Sequence, residues 1–476
     1  MNELFLPESS EPIFTEDELE TIPDPIESDE FYDTCLFVPN EFFHQAIFVR
    51  QLGSGTYGSV NLYRLNNQYY AVKTQQYSRY ANHGISTVSL READSLVRLI
   101  SVPEIIQILG ICIQNPNNLS LLLEPLWGTL TDFIYKVPYY IKNNFIIDLI
   151  NDLVSGASVL ESLNIEHYDI KPDNILLNWD GQGKPKFKLS DFGLVRSSVP
   201  GNIPTQAEIV TLTYRPPELL VNRPRNTIEP GKIDTWSIAS TIYEYIRGEP
   251  LIRYYKGMTP LDVLNQIGLT DLIPSISDGT VRGRLFIDGY INMSFLPEIY
   301  QNLLKSMFNL NPNERPSAVL IRNALGLPFP TVYNIPEPTR KYNQSVTDLI
   351  SCLNYEDNYI AFLISIEILT RLAGIYQYPS NPEYTAAAYH IGSAYIQDNP
   401  PNLITLGFKF GANPELIVTR EKELLISLQF QVYNSNLTVP IRRLVHRFGD
   451  NRREIIDYLR GLNSAYYTNS LNDWFS

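Results

Sequence analysis

A glycine-rich turn set between two strands constrains this chain more than any other stretch. The segments "FVRQLGSG", "SVNLYRL" and "QYYAVKT" alternate apolar and polar residues, and Gly53-Ser54-Gly55-Thr56-Tyr57-Gly58, followed by Val60, joins the first two. Three such runs, punctuated by the glycine turn and an Asn-Asn turn, predict a small antiparallel sheet. Glycines at this spacing let a backbone approach phosphate groups and aim its N–H groups at them. A plain hairpin would also carry such a turn. Because it joins strands and opens no helix, a doubly wound dinucleotide fold is excluded.

The residues that follow supply chemistry in a fixed order. Lys73 ends the third strand, and the helical pattern over 86–99 places Leu90, Ala93, Leu96 and Val97 on one face. A cation on a buried strand can bridge two phosphates when an anion steadies it, and Glu92 on that helix can be the anion. In "IEHYDIKPDN" Asp169 can accept a hydroxyl proton, Lys171 can stabilise a phosphoryl group in flight, and Asn174 can hold magnesium. "KLSDFGLVR" then adds Asp191, a carboxylate suited to a hard cation. Each piece has an ordinary reading as surface charge or turn, but five in this order predict phosphoryl transfer.

At 476 residues the chain can bury two or three cores, and 44% hydrophobic against 19% charged residues predicts a folded chain. The Pro-rich stretch "LPFPTVYNIPEPTRKYN" breaks both periodicities and reads as a linker. Beyond it helical patterns recur at about 346–356, 358–376, 383–397, 402–409 and 416–432. The expected organisation is an acidic solvated arm over 1–41, a sheet-rich unit over 42–126, a helical unit over 127–330, a linker over 331–345 and an all-helical region over 346–476. A net charge of -15 argues against nucleic-acid partners. "YIAFLISIEILTRLAGIY" is broken by Glu367 and Arg371, so it reads as a buried helix and not a membrane span. Cys35, Cys112 and Cys352 have no metal-ligand spacing, which fits reduced thiols inside a cell.

Over roughly 45–330 the motifs "GSGTYGSV", "AVK", "HYDIKPDN", "DFG" and "PPE" resemble the eukaryotic protein kinases in family order. The resemblance implies an α+β, two-lobed fold with ATP and Mg2+ between the lobes and protein substrates. It assigns Leu52, Val60 and Ala71 to the roof of the adenine site, Leu176 to its floor and Glu124 to Leu126 to the hinge. The glycine turn, Gly53 to Gly58 with Ser54, Thr56 and Tyr57, would cover the phosphates. Asn174 and Asp191 would hold the metal, and Glu218 and Arg315 would form a structural ion pair. Lys171 matches the serine/threonine class. "STVSLRE" is similar to the signature helix of the cyclin-dependent kinases, and "EIVTLTYRPPE", with Thr211 and Arg215, matches their segment before the large-lobe helices. Arg215 implies a preference for proline after the target residue.

Two departures stand out. Relatives place an arginine before the catalytic aspartate, where it joins two others in clamping an activation-loop phosphothreonine. Here Arg91 and Arg196 match those two, Tyr168 replaces the third, and Gln206 occupies the phosphosite with Thr205 just before it. Losing an acceptor and a cation together implies a loop ordered without phosphate; a phosphorylated Thr205 held by two arginines is the rival reading. The C-terminal helices resemble a single cyclin box, with Glu421 matching a glutamate that cyclins use at the kinase contact, although Ala394 stands where they carry a lysine. Such a chain would be a kinase activated in cis by its own cyclin-like domain, similar to kinase–cyclin fusions of large DNA viruses, with a host cyclin as a further partner. A helical extension that docks substrates or merely packs, and a catalytically silent scaffold, are the alternatives.

Overall fold

The computed structural model describes residues 42–55, 58–74, 85–115, 118–179, 184–197, 210–221, 231–330, 357–375, 381–397, 400–432 and 451–461, with a few isolated positions between them. The acidic arm (apart from Val38), the linker over 331–345, Thr56, Tyr57, Thr205 and Gln206 lie outside the described residues.

The small lobe is a five-stranded antiparallel sheet in the order β1-β2-β3-β5-β4, built from β1 (Ile47–Gly55), β2 (Gly58–Leu65), β3 (Gln68–Thr74), β4 (Ile108–Asn115) and β5 (Asn118–Leu123), with helix α1 (Thr87–Arg98) inserted after β3. Side chains alternate across a strand. Ala71, Ile111, Leu121 and Leu123 therefore join the main core, while Val72, Cys112 and Leu122 face the other way and are covered by Phe42 from the helical turn before β1. Ser86 caps α1 by accepting the Val88 N–H.

The large lobe is led by α2 (Leu130–Lys136), α3 (Ile146–Ser162) and α4 (Lys232–Arg247), with α5 (Glu298–Met307) and α6 (Ala318–Ala324) completing it. The hairpin of β8 (Ile175–Trp179) and β9 (Pro185–Leu189) lies on α3, with β6 (Gly128–Thr129) beside β8 and β7 (Ile165–Glu166) paired to β10 (Arg196–Ser197). Helix α4 is buried from Lys232 to Ile246 and stops at Gly248, whose φ of +74° suits only glycine at ease. Arg315 and Glu218 meet with both side chains fully buried, at 2.8 and 3.1 Å, under the Trp236 ring.

The C-terminal region is helical: α7 (Tyr359–Ile375), α8 (Pro382–Ile396), α9 (Leu403–Phe410), α10 (Pro414–Ser427) and α11 (Arg452–Gly461). Asn381, Asn402 and Asn413 cap α8, α9 and α10 through their side chains, and Pro382 and Pro414 sit where the missing N–H costs nothing. Helix α8 is the centre of the region, buried without a break from Tyr384 to Ile396. At Gly392 a β-carbon would lie 2.4 Å from the Ala361 carbonyl of α7, so the two helices approach through that glycine. Glu367 and Arg371 are both buried inside α7, and Arg371 donates to the Gln431 carbonyl at 2.7 Å. No helix among the described residues is long and apolar enough to cross a membrane. One apolar core runs from Ala71 through both lobes to Leu459 of α11.

Candidate active site

Strand register decides where Lys73 points. Lys73 pairs with Val60 on one side and Leu121 on the other, facing the cleft between the lobes. Its Nζ lies 2.6 Å from Glu92 Oε1 of α1 and 2.8 Å from Asp191 Oδ1. Burial alone would push this lysine towards neutrality, but the two carboxylates outweigh it and hold its pKa above the ordinary lysine value. Burial likewise pushes Asp191 up; Lys73 outweighs that and keeps the carboxyl below its usual range. Lys73 and Asp191 are therefore both charged at neutral pH.

The loop after β7 is bent by Tyr168 at φ +63° and held there by Asp234 of α4, which accepts the N–H groups of His167 (2.7 Å) and Tyr168 (2.9 Å). Asp169 is thereby fixed with its oxygens addressed: Oδ1 accepts the Thr211 hydroxyl (2.6 Å), and Oδ2 accepts Lys171 Nζ (2.8 Å) and Asn174 Nδ2 (2.8 Å). Lys171 also donates to Thr211 Oγ1 at 2.9 Å. Asn174 commits its amide nitrogen to Asp169 twice, which leaves the side-chain oxygen as the atom able to take a cation. Asp191 sits at φ +59° at the start of a tight turn in which Phe192 meets the His167 ring edge-on, 4.9 Å away. Gly193 follows; a β-carbon there would meet Val88 of α1 at 2.9 Å, so helix and turn are in close contact.

The cleft has a volume of about 470 Å³. Leu52, Val60 and Ala71 of the small lobe and Leu176 of β8 line it, with Glu124 and Leu126 from the segment that follows β5 and Gly53, Ser54 and Gly58 from the glycine turn. Gly55 pairs with Gly58 across the turn. The other expected catalytic and ATP-site residues thus line one cleft, apart from Thr56 and Tyr57, which lie outside the described residues; Arg91, Arg196 and Glu421 are not among its lining. Arg196 donates to the Leu194 and Val195 carbonyls, both at 3.0 Å, and Arg91 to the Thr87 hydroxyl.

Three arrangements escape sequence reasoning. Tyr168 is buried in an apolar cluster with Val210, Leu219 and Ile233, with Tyr214 beside it. Asp94, two residues beyond Glu92 and fully buried, accepts the Tyr395 hydroxyl of α8 at 3.1 Å and the Val432 N–H at 2.6 Å. Glu124 accepts a buried lysine, Lys188 of β9, at 2.6 Å. None of the three had a signal in the sequence: Asp94 shares its helix face with Arg91 and Arg98, as an ordinary surface acid would. The sequence reading put the helical region's kinase contact on Glu421. That side chain is buried and meets His390 of α8, one turn before Ala394, so a histidine stands near where cyclins carry the lysine partner.

A protein kinase domain model matches residues 47–329. This chain belongs to the protein kinase family. The kinase is 34% identical over 212 residues to a probable cell division protein kinase of Encephalitozoon cuniculi, covering 42% of this chain and 71% of that one. It is 27% identical over 288 residues to cyclin-dependent kinase 15 of Danio rerio, covering 57% and 66%. Among solved structures it resembles the CAK complex of Chaetomium thermophilum bound to ATP-gamma-S, with 26% identity, a TM-score of 0.48 and coverage of 60% of this chain and 91% of that one. The cleft is accordingly that of an ATP-using kinase with relatives of the cyclin-dependent type.

Proposed function

We propose that this kinase transfers the γ-phosphate of ATP to serine or threonine of protein substrates, and that its own C-terminal helices hold it in the working arrangement without activation-loop phosphate. The observation that carries the reading is the Lys73–Glu92 pair, closed at 2.6 Å while α8 lies on the opposite side of α1. Successive helical residues turn by about 100°, so Glu92 and Asp94 point roughly 200° apart. One faces Lys73 and the other faces Tyr395 and Val432.

The donor set fits magnesium and nucleotide: the Asn174 amide oxygen and the Asp191 carboxylate are hard oxygen ligands, and Lys73 is a fixed cation beside them. Asn174 and Asp191 would hold the metal, which when bound would supply positive charge against the phosphates. Asp169 orients the substrate hydroxyl and receives its proton as the phosphoryl group leaves ATP, and Lys171 neutralises the charge that develops. Thr211, bonded to both, fixes their spacing. Arg215 donates to the Val210 carbonyl at 2.8 and 3.2 Å, with Val210 at φ +59°. That carbonyl is then engaged and cannot receive the N–H of the residue after the target, so proline there loses nothing. The Tyr168 cluster supports the phosphate-free reading: an apolar plug stands where relatives bind charge.

The test is phosphate transfer to a Ser-Pro peptide by the purified full chain without added cyclin or activating kinase. Wild type should be active and Asp191→Asn silent. Asp94→Ala should lose about tenfold or more, because a buried donor pair is left unmet. Tyr395→Phe should fall between. Wild-type activity equal to that of Asp94→Ala would make α8 a packing or docking element, and nucleotide binding without turnover would favour a scaffold.

A further inference from the structure

We infer that Glu124 is a hub joining the nucleotide cleft to the pivot of α1, with Lys188 as the positioning residue that holds it there; the inference rests on the kinase reading of the cleft. Glu124 lines the cleft, but its carboxylate is engaged elsewhere. Oε1 accepts Lys188 Nζ at 2.6 Å, in a pair whose side chains are only 8% and 15% exposed, and it accepts the Gln107 N–H at 2.8 Å. The Glu124 N–H returns a bond to the Gln107 carbonyl at 3.0 Å, so the segment after β5 and the residue leading into β4 are tied in both directions.

Gln107 extends the tie to the turn after α1. Its Oε1 accepts the Ser101 N–H at 2.8 Å, and its Nε2 donates to the Val102 and Ile105 carbonyls at 2.9 and 2.8 Å. Ser101 stands at φ +69°, a conformation a non-glycine residue keeps only when its surroundings impose it. The contacts close a ring. From Glu124 they run through Gln107 to Ser101, along α1 to Glu92, across to Lys73 and Asp191, and back down β9 to Lys188. Lys188 is three residues before Asp191 in the chain, so a shift of the segment after β5 is felt at both ends of the cleft. A buried carboxylate that loses its cation moves towards water. Without Lys188, the segment that borders the nucleotide would follow it.

The experiment uses the full chain and three variants, Lys188→Met, Lys188→Arg and the double variant Lys188→Met with Glu124→Gln. Mg-ATP is titrated calorimetrically, with the binding stoichiometry reporting the folded fraction, and steady-state constants are then measured for ATP and the Ser-Pro peptide. Lys188→Met should weaken ATP binding about tenfold or more, the loss expected for one charge-assisted bond. The peptide constant should stay unchanged, Lys188→Arg should restore ATP binding to within about twofold of wild type, and the Glu124 change should add nothing in the Met background. Unaltered ATP binding in Lys188→Met overturns the inference, as does equal weakening for ATP and peptide, which would mark a merely structural pair. A wild-type chain that binds ATP without transferring phosphate overturns the kinase reading while the titration still tests the hub; one that binds no ATP overturns both.

Discussion

Tyr168 buries its phenol ring among Val210, Leu219 and Ile233, tying the loop that carries Asp169 to the segment that carries Thr211. On the proposed reading burial joins these two segments where the family resemblance expects an arginine and phosphate. Placing an arginine there should therefore do harm. Tyr168→Arg puts an unpaired guanidinium into an apolar cluster, and phosphate transfer should fall by about tenfold or more, with a lowered melting temperature. Retained activity in that variant, measured on chain free of phosphothreonine, would sink the plug interpretation. The loss of the arginine is legible in the sequence; the cluster is not, because Val210 and Ile233 are distant in the chain and meet Tyr168 only through tertiary packing.

At the scale of elements, legibility follows local periodicity and capping. The strands around the glycine turn, and the helices begun by Asn381-Pro382 and Asn413-Pro414, announce themselves in composition because turn and cap chemistry is local. Which element touches which is decided by side-chain shape. Glu421 illustrates this: the cyclin resemblance offers it only Ala394 as a partner, and the fold supplies His390. Gly392 illustrates it again, since a glycine inside a helix reads as a weakness until α7 is seen against it. Gly392→Ala would force its methyl group onto the Ala361 carbonyl and the Ser365 hydroxyl. Helix propensity favours the change, but overpacking opposes it by about 1–3 kcal/mol and should win. Chemical denaturation should find the variant less stable, with the same helical content in its folded state; a stabilised variant would mean that α7 and α8 separate freely.

At the scale of the whole molecule, joining the helices to the kinase in one chain turns a bimolecular encounter into an intramolecular one. A short tether gives an effective concentration of about millimolar order. Specific activity should then be flat across about a hundredfold dilution, and loss on dilution would point to contacts between chains. The contact from Asp94 to Val432 spans 338 residues. On the proposed reading it separates the making of this enzyme from its switching on. At about 5–20 residues per second, the ribosome needs roughly 20–70 s to move from one partner to the other. Both lobes are completed within that interval, before Tyr395 and Val432 exist for Asp94 of α1 to accept. Translation itself thus imposes a delay, and a chain broken off before its last helices would be left as a finished but idle catalyst.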